Sequence, residues 1–84
     1  MWSEATFGIP DLKAKDPKKY IPCLCRMNRS DEPSEEDGIN GGRISELTIK
    51  VGGRITCKYV RGWVKEPEDT PTKIAIHILL EQYN

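Results

Sequence analysis

One alternating segment constrains the fold of this chain more than any other feature. Between residues 47 and 59, apolar residues alternate with polar ones on both sides of Gly52-Gly53. Alternation with period two is typical of a strand with one buried face, and two such strands joined at a glycine pair predict a β-hairpin. We therefore expect at least two antiparallel strands in the C-terminal half of the chain.

The length of the hairpin loop decides which residues are buried. A two-residue loop would pair Ile49 with Thr56 and so mix apolar and polar side chains on one face. A three-residue loop that includes Val51, with Gly53 left-handed, pairs Ile49 with Ile55 and keeps that face apolar. We therefore predict the three-residue loop with a bulge. The other pairs in this register are Leu47 with Cys57, Ser45 with Tyr59, and Arg43 with Arg61.

The remaining elements are predicted from apolar patterns and from residues that start or break them. A helix is expected over 71–83, with Thr70 as its N-cap and Pro71 in its first turn. Pro22 lacks the amide hydrogen that a strand ladder needs, so we expect an edge position or a bulge there. The predicted order is strand 1–7, strand 20–27, strand 43–51, strand 54–63 and helix 71–83.

These elements fit one α+β domain over residues 1–84, because a chain of this length holds a single small core. The prediction is an antiparallel β-meander of three to four strands with one C-terminal α-helix packed on the sheet. Residues 28–42 form a long polar and acidic loop. A connection of that length in so small a domain is usually functional or mobile.

Composition and charge exclude several classes of protein. The chain has 13 basic and 13 acidic residues, so it is not a general polyanion binder. No apolar segment approaches the roughly 20 residues that span a bilayer, and the first residues lack a signal-peptide pattern. An odd number of cysteines makes a poor disulfide framework. These features predict a cytoplasmic protein with no membrane contact.

Four side chains could in principle bind a metal, and they are Cys23, Cys25, Cys57 and His77. Structural zinc sites favour Cys-x2-Cys pairs, which this sequence lacks, so buried free thiols are the favoured interpretation. No pattern orients a nucleophile and its base, and no cofactor motif is present. We therefore expect no catalytic residue, no metal site and no cofactor.

The glycine-rich segment 38–43 is the most unusual stretch. Consecutive N–H groups in glycine turns can form an anion-binding nest, and an arginine follows directly. The favoured interpretation is a turn that only leads into the hairpin, and a binding loop is the alternative. Likewise, Trp63 could pack under the helix and Arg61 could pair with an acid in 66–69. The predicted ligand- or partner-binding set is Asn40, Gly41, Gly42, Arg43, Arg61 and Trp63.

Several motifs occur in a fixed order along the chain. They are Met1-Trp2-x-Glu4, then Gly38-Ile39-Asn40-Gly41-Gly42-Arg43-Ile44-Ser45-x-Leu47, then Arg61-Gly62-Trp63 before Glu66-Pro67, and a final helix ending Tyr83-Asn84. With this combination the chain resembles a family of short uncharacterised proteins from gut Firmicutes and their phages. The resemblance covers residues 1–4 and 38–84 and is poor over 8–30. It implies a bacterial or phage origin, a cytosolic context and the meander-plus-helix fold, but no activity.

The leading functional hypothesis is a small non-enzymatic binding or regulatory module that acts on a host protein or sequesters a small anionic ligand. The alternative is a nucleic-acid-binding accessory protein that uses the sheet face and the lysine-rich segment 13–19. Acidic residues dilute that segment, so nucleic acid ranks second. Its lysines are Lys13, Lys15, Lys18 and Lys19.

The helix also predicts an assembly. Its apolar arc is wider than one sheet face can cover, and such a surplus indicates a second contact. We therefore predict a homodimer through Ile76, Leu80 and Tyr83.

Overall fold

A computed structural model describes residues 1–11, 16 and 19–84. Five antiparallel strands form one sheet in chain order, and a C-terminal helix packs on one face of it. The α+β meander with its helix is confirmed, but the prediction of three to four strands was too low. The elements are β1 (Trp2–Pro10), β2 (Tyr20–Arg29), β3 (Ile44–Val51), β4 (Arg54–Val60), β5 (Trp63–Lys65) and α1 (Thr70–Tyr83), with a short 3-10 helix at Ile39–Gly41.

The fifth strand exists because the chain turns at Arg61-Gly62 instead of continuing. Arg61 has a left-handed φ of 54°, and the Val60 N–H donates to the Gly62 carbonyl at 2.9 Å. Tyr59 and Trp63 consequently pair across a second hairpin. Residues paired in this way share a face, as they would in one continuous strand. The phase of the aromatic residues therefore could not distinguish the two arrangements.

The hairpin between β3 and β4 has a two-residue loop, so the predicted three-residue loop is wrong. Val51 pairs with Arg54, and both intervening glycines have positive φ, as a type I′ turn requires. The bulge lies within β4 instead, because Ile49 pairs with Cys57 and Lys50 pairs with Ile55. The residue left between these pairs is Thr56. This extra residue restores the apolar phase that a regular two-residue hairpin would lose.

The core lies between α1 and the sheet face that it covers. Alternate residues of the first four strands supply most of it, and the loop before β3 adds Ile39, which is 2% exposed. The buried apolar residues are Ile9, Cys23, Cys25, Met27, Ile39, Ile44, Leu47, Ile49, Cys57, Tyr59, Ala75, Ile76 and Leu79. No helix of the described residues is long and apolar enough to cross a membrane.

The helix begins one residue earlier than predicted. Asp69, rather than Thr70, is its N-cap, and its Oδ1 accepts the Thr72 N–H at 2.8 Å. Pro22 fits the position expected for it, because the ladder between β2 and β3 begins only at Cys23. At that point β2 has a partner only in β1.

The residues predicted to form a homodimer contact lie partly within this core. Ile76 is buried by the chain itself, and Leu80 and Tyr83 are half-buried against the core. The apolar surplus of α1 is therefore smaller than its sequence indicates. The homodimer stays a prediction.

Candidate functional site

The glycine-rich segment uses its own amide groups. Asn40 and Gly41 lie in the short 3-10 helix with φ of 52° and 73°. The Gly41 N–H donates to the Gly38 carbonyl at 3.0 Å, and the Gly42 N–H donates to the Ile39 carbonyl at 2.9 Å. Because both donors are satisfied within the loop, the geometry gives no support to an anion-binding nest here.

The same segment is held against the end of the helix. Asn84 donates through Nδ2 to the Ile39 carbonyl at 2.9 Å and accepts the Ile44 N–H at 3.1 Å through Oδ1. The Tyr59 hydroxyl donates to the Asp37 carbonyl at 3.0 Å. This long loop is therefore bonded into the fold at several points, and its glycines have a structural use.

Three further residues of the predicted binding set lie around this loop and the second hairpin. Arg43 donates through Nε to the Ser30 carbonyl at 2.9 Å. Arg61 is exposed, and its N–H donates to the Ser45 carbonyl at 2.9 Å. That bond sets Arg61 against Ser45, so the predicted facing pair of Arg43 and Arg61 is wrong.

Trp63 packs beside Tyr59 and stays partly open to solvent. The two rings meet edge to face, with centroids 5.1 Å apart and planes at 79°, and Trp63 remains 42% exposed. The set Asn40, Gly41, Gly42, Arg43, Arg61 and Trp63 stays a prediction.

The cysteines are buried free thiols, as the sequence predicts. Burial raises the pKa of Cys25 to about 12 and that of Cys57 to about 11, and burial also raises the pKa of Cys23. The carboxylate of Asp69 adds a smaller effect in the same direction on Cys23 and Cys57. Thiols held neutral in this way are poor nucleophiles.

Metal binding gains no support from the geometry. In the described part of the chain, no group of three or more cysteine, histidine or acidic residues is arranged to hold a metal. His77 lies on the outer side of α1, where its Nε2 is 3.2 Å from the carboxylate of Glu81.

The raised thiol pKa values predict that stability falls with rising pH. An unfolded thiol loses its proton near pH 8.5, whereas Cys25 in the folded protein keeps it to about pH 12. Between these values the folded state binds more protons, so alkali favours unfolding. Urea unfolding at pH 8, 9.5 and 11 measures this trend. Cys25→Ala should reduce the slope of the unfolding free energy against pH by about one proton's worth. An unchanged slope would contradict the raised pKa of Cys25.

The sheet face opposite α1 carries a basic surface, which the sequence indicated only as part of the nucleic-acid alternative and without naming its residues. We call it the open face, and it consists of Trp2, Glu4, Thr6, Leu24, Arg26, Asn28, Glu46, Thr48, Lys50, Ile55, Lys58, Val60 and Lys65. All of them are exposed or half-exposed. Four are basic and two are acidic, which leaves an excess of two positive charges.

The basic residues of the open face lie side by side. The strand registers align Glu4, Arg26, Thr48, Lys58 and Lys65 in one row across all five strands. Lys50 lies in the next row, between Leu24 and Ile55. Glu4 lies directly opposite Arg26 in this row. Between described residues, however, the one ion pair joins His77 and Glu81, so neither Lys58 nor Lys65 has an ion-paired carboxylate there.

An aromatic ring adjoins the row. The guanidinium of Arg26 lies 4.7 Å from the centre of the Trp2 ring, in a cation–π contact, and Trp2 is 51% exposed. Next to this pair the open face has a depression of about 440 Å³, whose lining includes Thr6, Leu24 and Lys50.

A signal for this surface was present in the sequence. Arg26, Thr48, Lys50 and Lys58 all occupy outward positions of alternating strands. The predicted hairpin register turned Ile55 inward, whereas the structure places it on the open face at 40% exposure. In that register Lys58 would lie opposite Glu46, whereas the structure places it opposite Thr48, in the row of Arg26.

The fold and its open face define a small α+β domain in which a helix backs one side of a meander. A family model for a domain of unknown function (DUF7678) matches residues 1–84, and the chain belongs to that family. Neither the curated proteins nor the solved structures gave a match to it. This membership agrees with the resemblance to a family of short uncharacterised proteins. The bacterial or phage origin stays a prediction.

Proposed function

We propose that this protein is a small non-enzymatic binding module that binds an anionic partner through the open face of its sheet. The observation that carries the proposal is the alignment of Arg26, Lys58 and Lys65 in one row by the strand registers. Glu4 is the cross-strand neighbour of Arg26, whereas Lys58 and Lys65 have no ion-paired carboxylate among the described residues. Exposed cations grouped in this way attract anions and speed their association.

The row favours an anion for an energetic reason. Lys58 and Lys65 are direct cross-strand partners, and like charges directly opposite each other destabilise a sheet. An anion bound between them would replace that repulsion with two attractive interactions. A bound anion would therefore stabilise the folded protein, in addition to being attracted to this place by the positive charge.

A separation of charge supports the proposal despite the zero net charge. The loop before β3 is acidic, and its acids are Asp31, Glu32, Glu35, Glu36 and Asp37. Ile39, in the same loop, is part of the core, and its carbonyl accepts from Asn84 at the end of α1. The Asp37 carbonyl accepts from Tyr59, which lies on the covered face, so this part of the loop is held on the helix side of the sheet, while the open face keeps its positive excess. Net charge alone hides this distribution.

The finer parts of the hypothesis remain proposals. Action on a host protein and a bacterial or phage origin rest on the family resemblance alone. A cytoplasmic location is supported by the three buried thiols, which are free and fit a reducing compartment. Of the lysine-rich segment 13–19, Lys13, Lys15 and Lys18 lie outside the described residues, and Lys19 is exposed.

A polyanion column tests the proposed surface. We expect heparin to retain the parent at low salt and the Lys58→Gln/Lys65→Gln variant to elute at lower salt, because each lysine removed lowers the salt dependence by about one unit. Arg54→Gln/Lys73→Gln is the matched control, because it also removes two positive charges, both from exposed residues that do not belong to the open face. A parent that heparin does not retain, or a control that shifts as far as the Lys58→Gln/Lys65→Gln variant, would contradict the proposal.

A further inference from the structure

We infer that the anionic partner is a single-stranded nucleic acid, with its phosphates along the basic row and a base stacked at the Trp2–Arg26 pair. This inference rests on the proposed function and adds the ligand class to it. It concerns the open face alone and requires neither the glycine-rich segment nor residues 13–19.

The first step is the stacked pair. The Trp2 residue is 51% exposed at one end of the sheet, with the Arg26 guanidinium over its ring at 4.7 Å from the centre, so this pair is open to contact from solvent. Bases of single strands stack on aromatic rings and on arginine planes, and this contact accepts any base. A small inorganic anion has no flat surface to stack on such a pair.

The second step is the placement of the cations relative to the ring. Trp2 and Arg26 lie at the β1–β2 side of the sheet, and Lys58 and Lys65 lie on β4 and β5. Neighbouring strands are about 4.8 Å apart, so the distance from β2 to β5 is about 14 Å. A single strand that crosses the sheet would place a base at the ring and successive phosphates over the lysines. Lys50, in the next row, adds a further positive charge beside this path.

The third step argues against base readout from a duplex. Five strands have a width of about 19 Å, whereas the major groove is about 12 Å wide and admits a helix or a two-stranded ribbon. The open face therefore cannot reach base edges inside a double helix. A single strand has its bases free, and the depression of about 440 Å³ beside the stacked pair has the size of a small-molecule pocket.

The fourth step is the polar lining. Thr6 lies next to Leu24, and Thr48 lies in the basic row beside Arg26. Their hydroxyl groups can donate to or accept from a base without preference for one type. The chemistry predicts binding with little sequence specificity, which is typical of stacking platforms in basic grooves.

The test compares four labelled probes by fluorescence anisotropy with the full chain. The probes are a 12-nucleotide oligo-dT, a 12-nucleotide oligo-U, a phosphodiester 12-mer without bases, and a poly-glutamate peptide. We expect tighter binding of one or both base-containing strands than of the base-free strand and the peptide. The ratio of the affinities for oligo-dT and oligo-U shows whether DNA or RNA is the preferred ligand.

Two variants separate stacking from charge. Trp2→Leu should weaken binding of the base-containing strands by at least about fivefold and leave the base-free strand unchanged, while Trp2→Phe should retain most of the affinity. Lys58→Gln should weaken all anionic probes alike. A retained circular-dichroism helix signal shows that each variant is folded.

The possible failures are distinguishable. If the base-free strand or the peptide binds as well as the tighter of the two base-containing strands, or if Trp2→Leu changes nothing, the nucleic-acid inference is overturned and the binding of anions by the open face stands. If no probe binds the parent at low salt, the proposed function is overturned as well.

Discussion

Gly38→Ala is expected to destabilise the folded protein by about 3 kcal/mol or more, in the range of severe overpacking. Gly38 has an extended backbone, with φ −82° and ψ 144°, so the restriction is one of space and not of conformation. An added Cβ would overlap with the carbonyl of Gly42 and press on that of Ser34. Backbone atoms on both sides leave no flexible side chain that could move away.

The overlap would break the hydrogen bonds that close the loop. The Gly38 N–H donates to the Ser34 carbonyl at 2.9 Å, and the Ser34 N–H donates to the Gly42 carbonyl at 3.0 Å. Next to them, Ile39 is buried in the core, so an opened loop would also expose apolar surface. The steric overlap at Gly38 would therefore also cost packing in the core.

Gly62→Ala is the matched control, because a Cβ there meets open space. We expect it to change stability by less than about 0.5 kcal/mol. Thermal unfolding measures both, with a shift of about 4–8 °C for each kcal/mol in a domain of this size. Equal midpoints for Gly38→Ala and the parent would refute the account of the loop.

The sequence predicted this loop less well than the elements on either side of it. Its length and acidity indicated a polar connection, and the glycines suggested a ligand nest. Its structure depends on contacts with residues far along the chain, since the Asn84 side chain bonds to Ile39 and Ile44. Local patterns contain no information about such partners, so a structural glycine and a binding glycine look alike.

The strands and the helix were predictable because their signals are periodic. Apolar alternation located β3 and β4, and Pro71 with the apolar spacing after it located α1. The error in register came from assuming that the loop alone sets the pairing. A bulge inside β4 keeps Cys57 and Tyr59 on the covered face with the tighter turn, although it turns Ile55 outward. The apolar pattern alone does not distinguish these two arrangements.

The candidate surface was predictable only in part. Outward polar positions follow from alternation, but their alignment into one row depends on four strand registers. A slip of one residue in any of them turns a strand over. The basic row is therefore a property of the pairing, which the sequence left open.

A double-mutant cycle on Thr56 and Thr72 tests the observed register directly. The Thr72 hydroxyl donates to Thr56 Oγ1 at 2.7 Å, and the Thr56 hydroxyl donates to the Ile49 carbonyl at 3.4 Å. Thr72 is 0% exposed. Thr56→Val should cost about 2 kcal/mol, because the buried Thr72 hydroxyl would lose its acceptor. Thr72→Val should cost less, since Thr56 keeps the Ile49 carbonyl.

The double variant should cost less than the sum of the two single ones, by about 1 kcal/mol, because it removes donor and acceptor together. In the register expected from sequence, Thr56 would face solvent opposite Thr48 and would have no contact with α1. Its replacement would then change the free energy of unfolding by less than about 0.5 kcal/mol, with no coupling to Thr72. Urea unfolding of the four proteins therefore decides between the two registers, and additive costs would contradict the bulge at Thr56.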